Sequence, residues 1–137
     1  MKTGNWFKKM KLRIKGNSIR FRLLRTEVEQ FALVGQISDA IEFGSSGFLK
    51  YSLVRSPGIS KVAATLHGND IAISVPEDVA RNWTSSDEVG FESEQPIGDG
   101  ESLSIIVEKD FACLDRPNDP DRADAYPNPH AECGQPE

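Results

Sequence analysis

The feature that most constrains the fold is an alternating segment centred on a Gly-Asn pair. In residues 12–23, LRIKGNSIRFRL, apolar and basic side chains alternate on both sides of that pair. Gly followed by a small polar residue suits the central positions of a type II′ turn, which joins antiparallel strands and sets their register. In this register the opposed pairs are Lys11 and Arg22, Leu12 and Phe21, Arg13 and Arg20, and Ile14 and Ile19. The segment therefore predicts a hairpin with one apolar face and one basic face.

A second Gly-Asn pair, at residues 68–69, predicts a second hairpin of the same kind. Its opposed pairs are Leu66 and Ile71, Ala64 and Ile73, and Val62 and Val75. A short helix is predicted after each hairpin. Thr26 and Glu29 fit a capping box ahead of a stop at Gly35, and Pro76 opens the second helix.

Two extended segments follow each predicted helix, so the pattern ββαββ occurs twice. The first of these segments is residues 40–43 in one copy and 88–91 in the other, with Ile41 matched to Val89 and Phe43 to Phe91. The last strands carry Leu49, Tyr51 and Leu53 in the first copy and Leu103, Ile105 and Val107 in the second. One such unit has too little core to be stable alone, but two units can bury their apolar faces against each other.

We therefore predict a mainly β fold with two short helices (α+β), in which internally duplicated ββαββ units form one pseudo-twofold β-barrel or sandwich. The predicted single domain spans 9–109, with repeats at about 11–55 and 62–109. Residues 1–8 are predicted to be a flexible lead-in and residues 110–137 a Pro- and Asp-rich C-terminal tail. The predicted core joins Ile14, Ile19, Phe21, Leu66, Ile71 and Ile73. Both Met1 and Met10 are candidate start residues.

The charge is divided unequally along the chain. The net charge is −5, yet nine Lys or Arg residues occur up to Arg25, and the first acidic residue is Glu27. From Thr26 onward, 21 acidic residues face 7 basic ones. This polarisation indicates either a polyanion bound by the first segment or two ends of the chain folded against each other.

The basic face of the first hairpin is the predicted site. It carries Lys11, Arg13, Lys15, Arg20 and Arg22, joined by Arg25. Like charges opposed across two strands destabilise a sheet, so folding gains nothing from this arrangement. We predict a non-enzymatic module that binds an anionic partner through these residues, with double-stranded DNA as the first candidate. The alternative is a protein-interaction or regulatory module whose basic face docks its own acidic tail or an acidic protein.

Three segments resemble a family of small uncharacterised bacterial proteins. They are KLRIKGNSIRFRLL from Lys11, DFACLD from Asp110 and AYPNP from Ala125. The resemblance covers almost the whole chain from Met10 onward, and it implies no particular activity.

A more distant resemblance is to the swapped-hairpin regulators of the AbrB and MazE type. Their units carry a basic strand, a G-N-S turn, a strand of R-x-[IL]-P type, a short helix and a D-E-V strand. The matching residues are Lys15, Gly16, Asn17, Ser18, Arg20 and Arg22, then Val75-Pro76-Glu77 and Asp87-Glu88-Val89. This resemblance implies DNA binding through basic hairpins, with two units in one chain. The chain departs from the pattern at Leu24, where the proline would stand, and at Thr65, Ala72 and Ser74 on the outer face of the second copy.

Candidate metal ligands lie near the C-terminus. Cys113, His130 and Cys133 fit a zinc site weakly, because neither a C-x-x-C nor a paired-His spacing is present. A fourth ligand would come from His67, Asp115 or Asp124. A buried, metal-free Cys113 is the preferred interpretation, and no cofactor is predicted.

An enzyme is the least favoured class. His67 with Asp70 and Ser104 would form the triad of a small hydrolase, but nothing at that spacing resembles a nucleophile elbow. The two cysteines suit a reducing compartment, and no apolar stretch is long enough to span a membrane. We therefore predict a cytoplasmic protein without a membrane partner, whose oligomeric state the sequence does not indicate.

Overall fold

The structure is a computed structural model that describes residues 10–111 and 126–127. The described residues contain eight strands, two α-helices and a short 3-10 helix at Gly44–Ser46. The strands are β1 (Lys11–Lys15), β2 (Ser18–Leu23), β3 (Gln36–Glu42), β4 (Phe48–Ser56), β5 (Ala63–His67), β6 (Asp70–Pro76), β7 (Gly90–Gly98) and β8 (Glu101–Lys109), and the helices are α1 (Arg25–Val34) and α2 (Glu77–Ser85). The mainly β, α+β class is confirmed. No helix in this part of the chain is long and apolar enough to cross a membrane.

The strands form two four-stranded mixed sheets. One sheet has the order β1-β2-β8-β7 and the other the order β3-β4-β6-β5. The central pairs, β2 with β8 and β4 with β6, are parallel, and the outer pairs are antiparallel. A closed barrel requires the edge strands to bond to one another. No backbone pairing joins the edge strands of these two sheets, so the predicted alternative of one closed barrel is wrong for the described residues.

Both Gly-Asn turns form the predicted hairpins. The register of β1 with β2 is the predicted one at every pair, and β5 pairs with β6 as predicted from Ala64 to the turn. The first central residue has a positive φ in each turn, 56° at Gly16 and 60° at Gly68, as the type II′ turn requires. Glycine adopts this conformation without the steric cost that a Cβ atom would add.

Helix α1 ends where predicted but begins earlier. Gly35 has a φ of 88°, and its N–H donates to a carbonyl of the last turn at 2.8 Å, as in a left-handed C-cap. At the other end, the Glu27 carboxylate accepts a hydrogen bond from the Leu24 N–H at 2.7 Å. The predicted capping box of Thr26 and Glu29 is therefore wrong, because the chain enters the helix two residues before Thr26.

Helix α2 begins after Pro76. Proline suits a helix start, because the N–H that it lacks would have no hydrogen-bond partner within the helix at that position. Trp83 is buried, and its ring packs edge to face against Phe31 and Phe91 with centroid distances of 6.2 and 5.4 Å. Its indole N–H donates to the Val89 carbonyl at 3.1 Å. These contacts hold α1, α2 and β7 together.

Both sheets and both helices contribute to one hydrophobic core. Of the predicted core residues, four belong to it or pack against it: Ile19, Phe21, Ile71 and Ile73. The prediction is wrong for Ile14 and Leu66, which are 62% and 68% exposed. They lie beside the turns, at the outer ends of their strands. Strand alternation places them on the same face as the core residues, but the core does not extend that far along the strands.

Candidate functional site

The predicted basic residues lie mainly on the outer face of β1 and β2. Strand alternation places them opposite Leu12, Ile19 and Phe21, whose side chains are half-buried or buried. The structure brings four of them, Lys11, Arg13, Arg20 and Arg22, to one cleft of about 260 Å³, together with Leu12. We call this the basic cleft. It joins cations from two neighbouring strands because the hairpin register sets them directly opposite each other.

The other two predicted site residues lie outside the basic cleft. Lys15 is the last residue of β1, next to the turn. Arg25 is the first residue of α1 and lines a different pocket of about 430 Å³, with Lys109, Asp110 and other residues. The predicted group of six is therefore divided into four converging residues and two separate ones.

Glu108 bonds to one arginine of β2 and lies near the other. The Arg22 Nε atom donates to Glu108 Oε2 at 2.7 Å, and the Arg20 Nε atom lies 3.7 Å from the same oxygen. Glu108 reaches both because β8 runs parallel to β2 and pairs Glu108 with Arg22. Its side chain is only 6% exposed. The hydrogen bond from Arg22 fixes the plane of that guanidinium group, since breaking it would take a partner from the buried Glu108 carboxylate.

A second carboxylate, Asp110, contacts the cleft at its other end. Lys11 Nζ lies 2.9 Å from Asp110 Oδ2, and the side chain of Asp110 is 9% exposed. The Asp110 N–H donates to the Leu23 carbonyl at 2.8 Å, which fixes the chain just after β8. Asp110 is the first residue of the predicted tail, so the start of that segment lies against the basic face.

On the same face of this sheet, the opposite edge, formed by β7, is acidic. Across the sheet, Arg13 and Arg20 are in line with Ile106 and then with Glu92 on β7. One row further, Glu94 accepts hydrogen bonds from the hydroxyls of Ser104 and Ser102, at 2.7 and 3.0 Å, and these bonds lower its pKa. The outer face therefore changes from positive at β1 and β2 to negative at β7.

A cluster of the buried Tyr51 and Glu27 with the half-buried Asp39 lies beside the start of β1. Asp39 accepts a hydrogen bond from the Met10 N–H at 2.7 Å, and the Tyr51 hydroxyl donates to the Met10 carbonyl at 2.6 Å. Burial, with the nearby charges of Asp39 and Glu27, raises the pKa of Tyr51 to about 12. Burial also raises the pKa of Glu27, and Asp39 and Asp110 add to the effect. The cluster anchors the strand that carries Lys11 and Arg13.

A family model covers all of the described residues. The model of a family of unknown function, DUF7009, matches residues 10–130. The chain belongs to the DUF7009 family. The match includes both hairpins, the basic cleft, Glu108 and Asp110, and it confirms the resemblance to an uncharacterised family. A search of the curated proteins found no match.

An apolar groove of about 280 Å³ lies between the tips of the two hairpins of this DUF7009 protein. Its lining includes Ile14 and Leu66, the two residues wrongly assigned to the core, together with Ile71 and Leu103. The sequence did not reveal the groove, because its walls come from hairpins about 50 residues apart whose meeting depends on the packing of the two sheets.

The remaining sequence candidates are not brought together. His67 and Asp70 are opposed across their turn, but no ion pair between them is present. Ser104 lies in the other sheet, where its hydroxyl donates to Glu94, so these three residues do not form the triad that the sequence analysis disfavoured. Cys113, His130 and Cys133 lie outside the described residues. Within the described ranges, no three His, Cys, Asp or Glu side chains are grouped so as to hold a metal ion.

Sequence reasoning missed the two acidic partners of the basic cleft. The signal for Glu108 was weak, because a single acidic residue near the end of a strand does not indicate which strand lies beside it. Its contact with Arg20 and Arg22 depends on the parallel pairing of β2 with β8, two strands more than 80 residues apart in the chain.

Proposed function

We propose that this DUF7009 protein is a non-enzymatic, cytoplasmic binding module whose basic cleft holds an anionic group of its partner. The observation that carries the proposal is the convergence of Lys11, Arg13, Arg20 and Arg22 on one cleft. The Arg22 guanidinium group is held there by a hydrogen bond to the buried Glu108. Fixed guanidinium groups recognise carboxylate and phosphate oxygens with less loss of side-chain entropy than flexible ones.

Sheet stability does not account for these cations. Two basic pairs are directly opposed in the hairpin, Lys11 with Arg22 and Arg13 with Arg20. Opposed like charges destabilise a strand pair, on the scale of about 0.2–1 kcal/mol per cross-strand pair. Glu108 and Asp110 offset part of this repulsion. An anion bound in the cleft would offset it further.

The chain's own acidic tail is a second candidate for the bound anion. The contact between Lys11 and Asp110 favours it, because the first residue of the predicted tail already pairs with the basic face. Further along, the sequence supplies Asp115, Asp119, Asp121 and Asp124. In this alternative the tail competes with external anions, and the module acts by releasing or retaining it.

We also propose that the chain is an internal duplication. The two Gly-Asn pairs are 52 residues apart, and each sheet joins one Gly-Asn hairpin to one hairpin of the other half through a central parallel pair. An experimental structure in which residues 11–55 superpose on 62–109 with both helices aligned would support it. The likeness to the swapped-hairpin regulators stays a prediction.

Anion binding is tested by fluorescence anisotropy with a labelled DNA duplex and labelled polyglutamate at several salt concentrations. We expect binding at low salt that weakens as salt rises, with a slope of log affinity against log salt of about −3 to −4 for four phosphate contacts. The double variant Lys11→Gln, Arg13→Gln should bind at least tenfold more weakly. The matched control, Lys61→Gln, Arg81→Gln, removes the same charge from exposed positions outside the cleft and should bind like the unaltered protein.

A full-length variant with Asp115, Asp119, Asp121 and Asp124 changed to Asn separates the two candidates. Tighter binding of external anions by this variant would indicate competition from the tail, and unchanged binding would exclude it. If neither the unaltered protein nor this variant binds any polyanion at low salt, the proposed function is wrong.

A further inference from the structure

We infer that two copies of this chain pack against each other through an apolar surface at the tips of the hairpins and form a twofold-symmetric dimer. The groove in this surface shares no residue with the basic cleft, so the inference goes beyond the proposed function. It is carried by the position of the hairpin turns, by the exposed apolar side chains beside them and by the short reach of the chain's terminal segments.

The turns of all four hairpins lie at one end of the molecule. The Asn17 carbonyl accepts the Ser104 N–H at 3.1 Å and the Asn17 amide donates to the Ser102 carbonyl at 2.8 Å, so the first Gly-Asn turn lies near the β7–β8 turn. The Asn69 amide donates to the Phe48 carbonyl at 2.8 Å, which places the second Gly-Asn turn beside the β3–β4 loop. The apolar groove joins the two Gly-Asn hairpins. Both helices follow their strands at the opposite end.

The core is covered at the helix end but not at the tips. At the helix end, α1 and α2 contribute the buried Phe31 and Trp83. At the tips, Ile14, Ile41 and Leu66 lie on the faces that the sheets turn toward the core, yet they are 43–68% exposed. The described residues therefore leave the apolar space between the sheets open at this end.

Six large apolar side chains form what we call the tip surface: Ile14, Ile41, Phe43, Phe48, Leu66 and Ile97. At roughly 180 Å² for each, within the range of an aromatic side chain, their exposed fractions of 43–68% amount to about 600 Å². The largest apolar patch of a typical monomer covers about 300–600 Å². Two tip surfaces packed together would bury about 1,200 Å², the area at which specific, stable interfaces begin. A second copy also brings the same patch to both sides, as a twofold interface requires.

The terminal segments of these 137 residues are poorly placed to cover the tip surface. Trp6 is as many residues before Met10 as Ile14 is after it, so the chain would have to reverse at Met10 with no residue to spare. Leu114 follows β8 by five residues, too few to run back along this nine-residue strand. Tyr126 lies far enough along the chain, but it is 96% exposed.

Acidic residues beside the tips favour a second copy over a lipid surface. Asp99 lies in the β7–β8 turn and Glu101 begins β8, and both are exposed. Cytoplasmic membrane surfaces are anionic and attract basic segments. A membrane that received the tip surface would therefore repel these carboxylates.

Sedimentation velocity of the full chain, at concentrations up to about 500 µM, tests the dimer, for which we expect a dissociation constant of about 1–100 µM at this interface area. Leu66→Glu places a charge inside the interface and should weaken dimerisation at least thirtyfold. Its melting temperature should change little, because Leu66 is 68% exposed. The matched control is Leu33→Glu, on α1 at the helix end, where the side chain is 84% exposed. It should dimerise like the unaltered protein.

Two results would overturn the inference. One is an unaltered protein that stays monomeric at every concentration, and the other is a dimer that Leu66→Glu weakens no more than Leu33→Glu does. If circular dichroism shows that Leu66→Glu does not fold, NMR spectra of the unaltered protein over the same concentrations replace it. Amide signals of residues 14–19 and 64–71 should then shift with concentration while those of α1 stay constant. Shifts confined to another surface would exclude the tip-to-tip dimer.

Vesicles of phosphatidylcholine with phosphatidylserine test the competing occupant. We expect the unaltered protein to stay in the supernatant when these vesicles are sedimented. A protein that is monomeric in solution, binds the vesicles and loses this binding in Leu66→Glu would assign the tip surface to a membrane, against our inference.

Discussion

At the residue scale, Glu27 is a carboxylate whose charge the fold opposes. It is buried, and one oxygen accepts the Leu24 N–H while the other has no hydrogen-bond partner among the described residues. Burial raises its pKa above the 4.5 of the free side chain, with Asp39 and Asp110 adding to the effect. The folded protein therefore holds this proton more tightly than the unfolded chain. The resulting stabilisation is complete below pH 4.5 and is lost as the pH rises through the folded pKa.

Glu27→Gln should remove this pH dependence. The amide oxygen still accepts the Leu24 N–H, but no charge forms as the pH rises. We expect the free energy of unfolding of the variant, relative to the unaltered protein, to increase between pH 4 and pH 7 in urea titrations. Glu29→Gln, at an exposed position of the same helix, is the control and should show no such trend. Parallel curves for Glu27→Gln and the unaltered protein would show that burial does not perturb Glu27.

Gly90 is required by close approach of β7 to β8. A Cβ atom added there would overlap the Val107 carbonyl oxygen and lie 2.8 Å from the Glu108 Cβ. Gly90→Ala should therefore move the strands apart and destabilise the protein by about 1–3 kcal/mol, as overpacking does elsewhere. Chemical denaturation measures this loss. Because Glu108 bonds to Arg22 in the basic cleft, the variant should also bind anions more weakly, and an unchanged stability would show that β7 shifts freely.

At the element scale, the hairpins were predictable and their packing was not. The Gly-Asn turns specify the β1–β2 register through two residues, so local sequence suffices. The third strands were aligned wrongly, because β3 begins at Gln36, directly after the helix, and Ile41 and Phe43 are exposed. Ile37 pairs with Leu53 and Phe91 pairs with Val107, so the position in β3 that corresponds to Phe91 is Ile37 and not the predicted Phe43.

The difference between local and long-range geometry also explains which residues of the site could be predicted from the sequence. Four of the predicted basic residues converge because they belong to one hairpin, whose geometry is local. Their partners Glu108 and Asp110 lie more than 80 residues away, and only the parallel pairing of β2 with β8 brings them close. Alternation along a strand indicates which face a side chain occupies, but not which strand lies next to it.

One side chain joins the edges of the two sheets. Gln95 on β7 accepts the Ala64 N–H at 2.7 Å and donates to the Ala64 carbonyl at 3.0 Å, so it pairs with the edge of β5 as another strand would. Gln95→Glu keeps the acceptor for the N–H but places a second oxygen against the carbonyl. We expect a loss of about 1–3 kcal/mol at neutral pH from the lost hydrogen bond and the unpaired carbonyl.

Chemical denaturation of Gln95→Glu at pH 7 and pH 4 tests this pairing. Part of the stability should return at pH 4, where a protonated carboxyl donates to the Ala64 carbonyl again. Ile97→Ala, at an exposed position of the same strand, is the control for changes in β7 itself. A Gln95→Glu variant as stable as the unaltered protein at both pH values would show that the bridge between the sheets contributes little.

At the scale of the whole molecule, each sheet is built from both halves of the chain. The first half, residues 10–56, supplies β1 and β2 to one sheet and β3 and β4 to the other. The second half, residues 62–110, completes each sheet through the parallel pairs β2 with β8 and β4 with β6. Neither half contains a complete sheet, and an isolated two-stranded hairpin is marginally stable at best in water. The two halves should therefore fold only together.

Cleavage of the linker between the halves tests this interdependence. A protease site inserted between Gly58 and Ile59 lies in an exposed segment outside the strands, so the intact variant should fold normally. After cleavage, the two fragments should stay associated through both sheets and the shared core, and they should co-elute in size-exclusion chromatography. Urea should unfold them in a single transition whose midpoint depends on protein concentration, because folding of the cleaved protein requires two chains to associate.

Each fragment purified alone in urea and refolded should lack the circular dichroism of the complex, and mixing the two should restore it. A first-half fragment that folds by itself would show that the parallel strand pairs between the two halves are not needed for stability. Contacts within each half would then have to be sufficient to stabilise it.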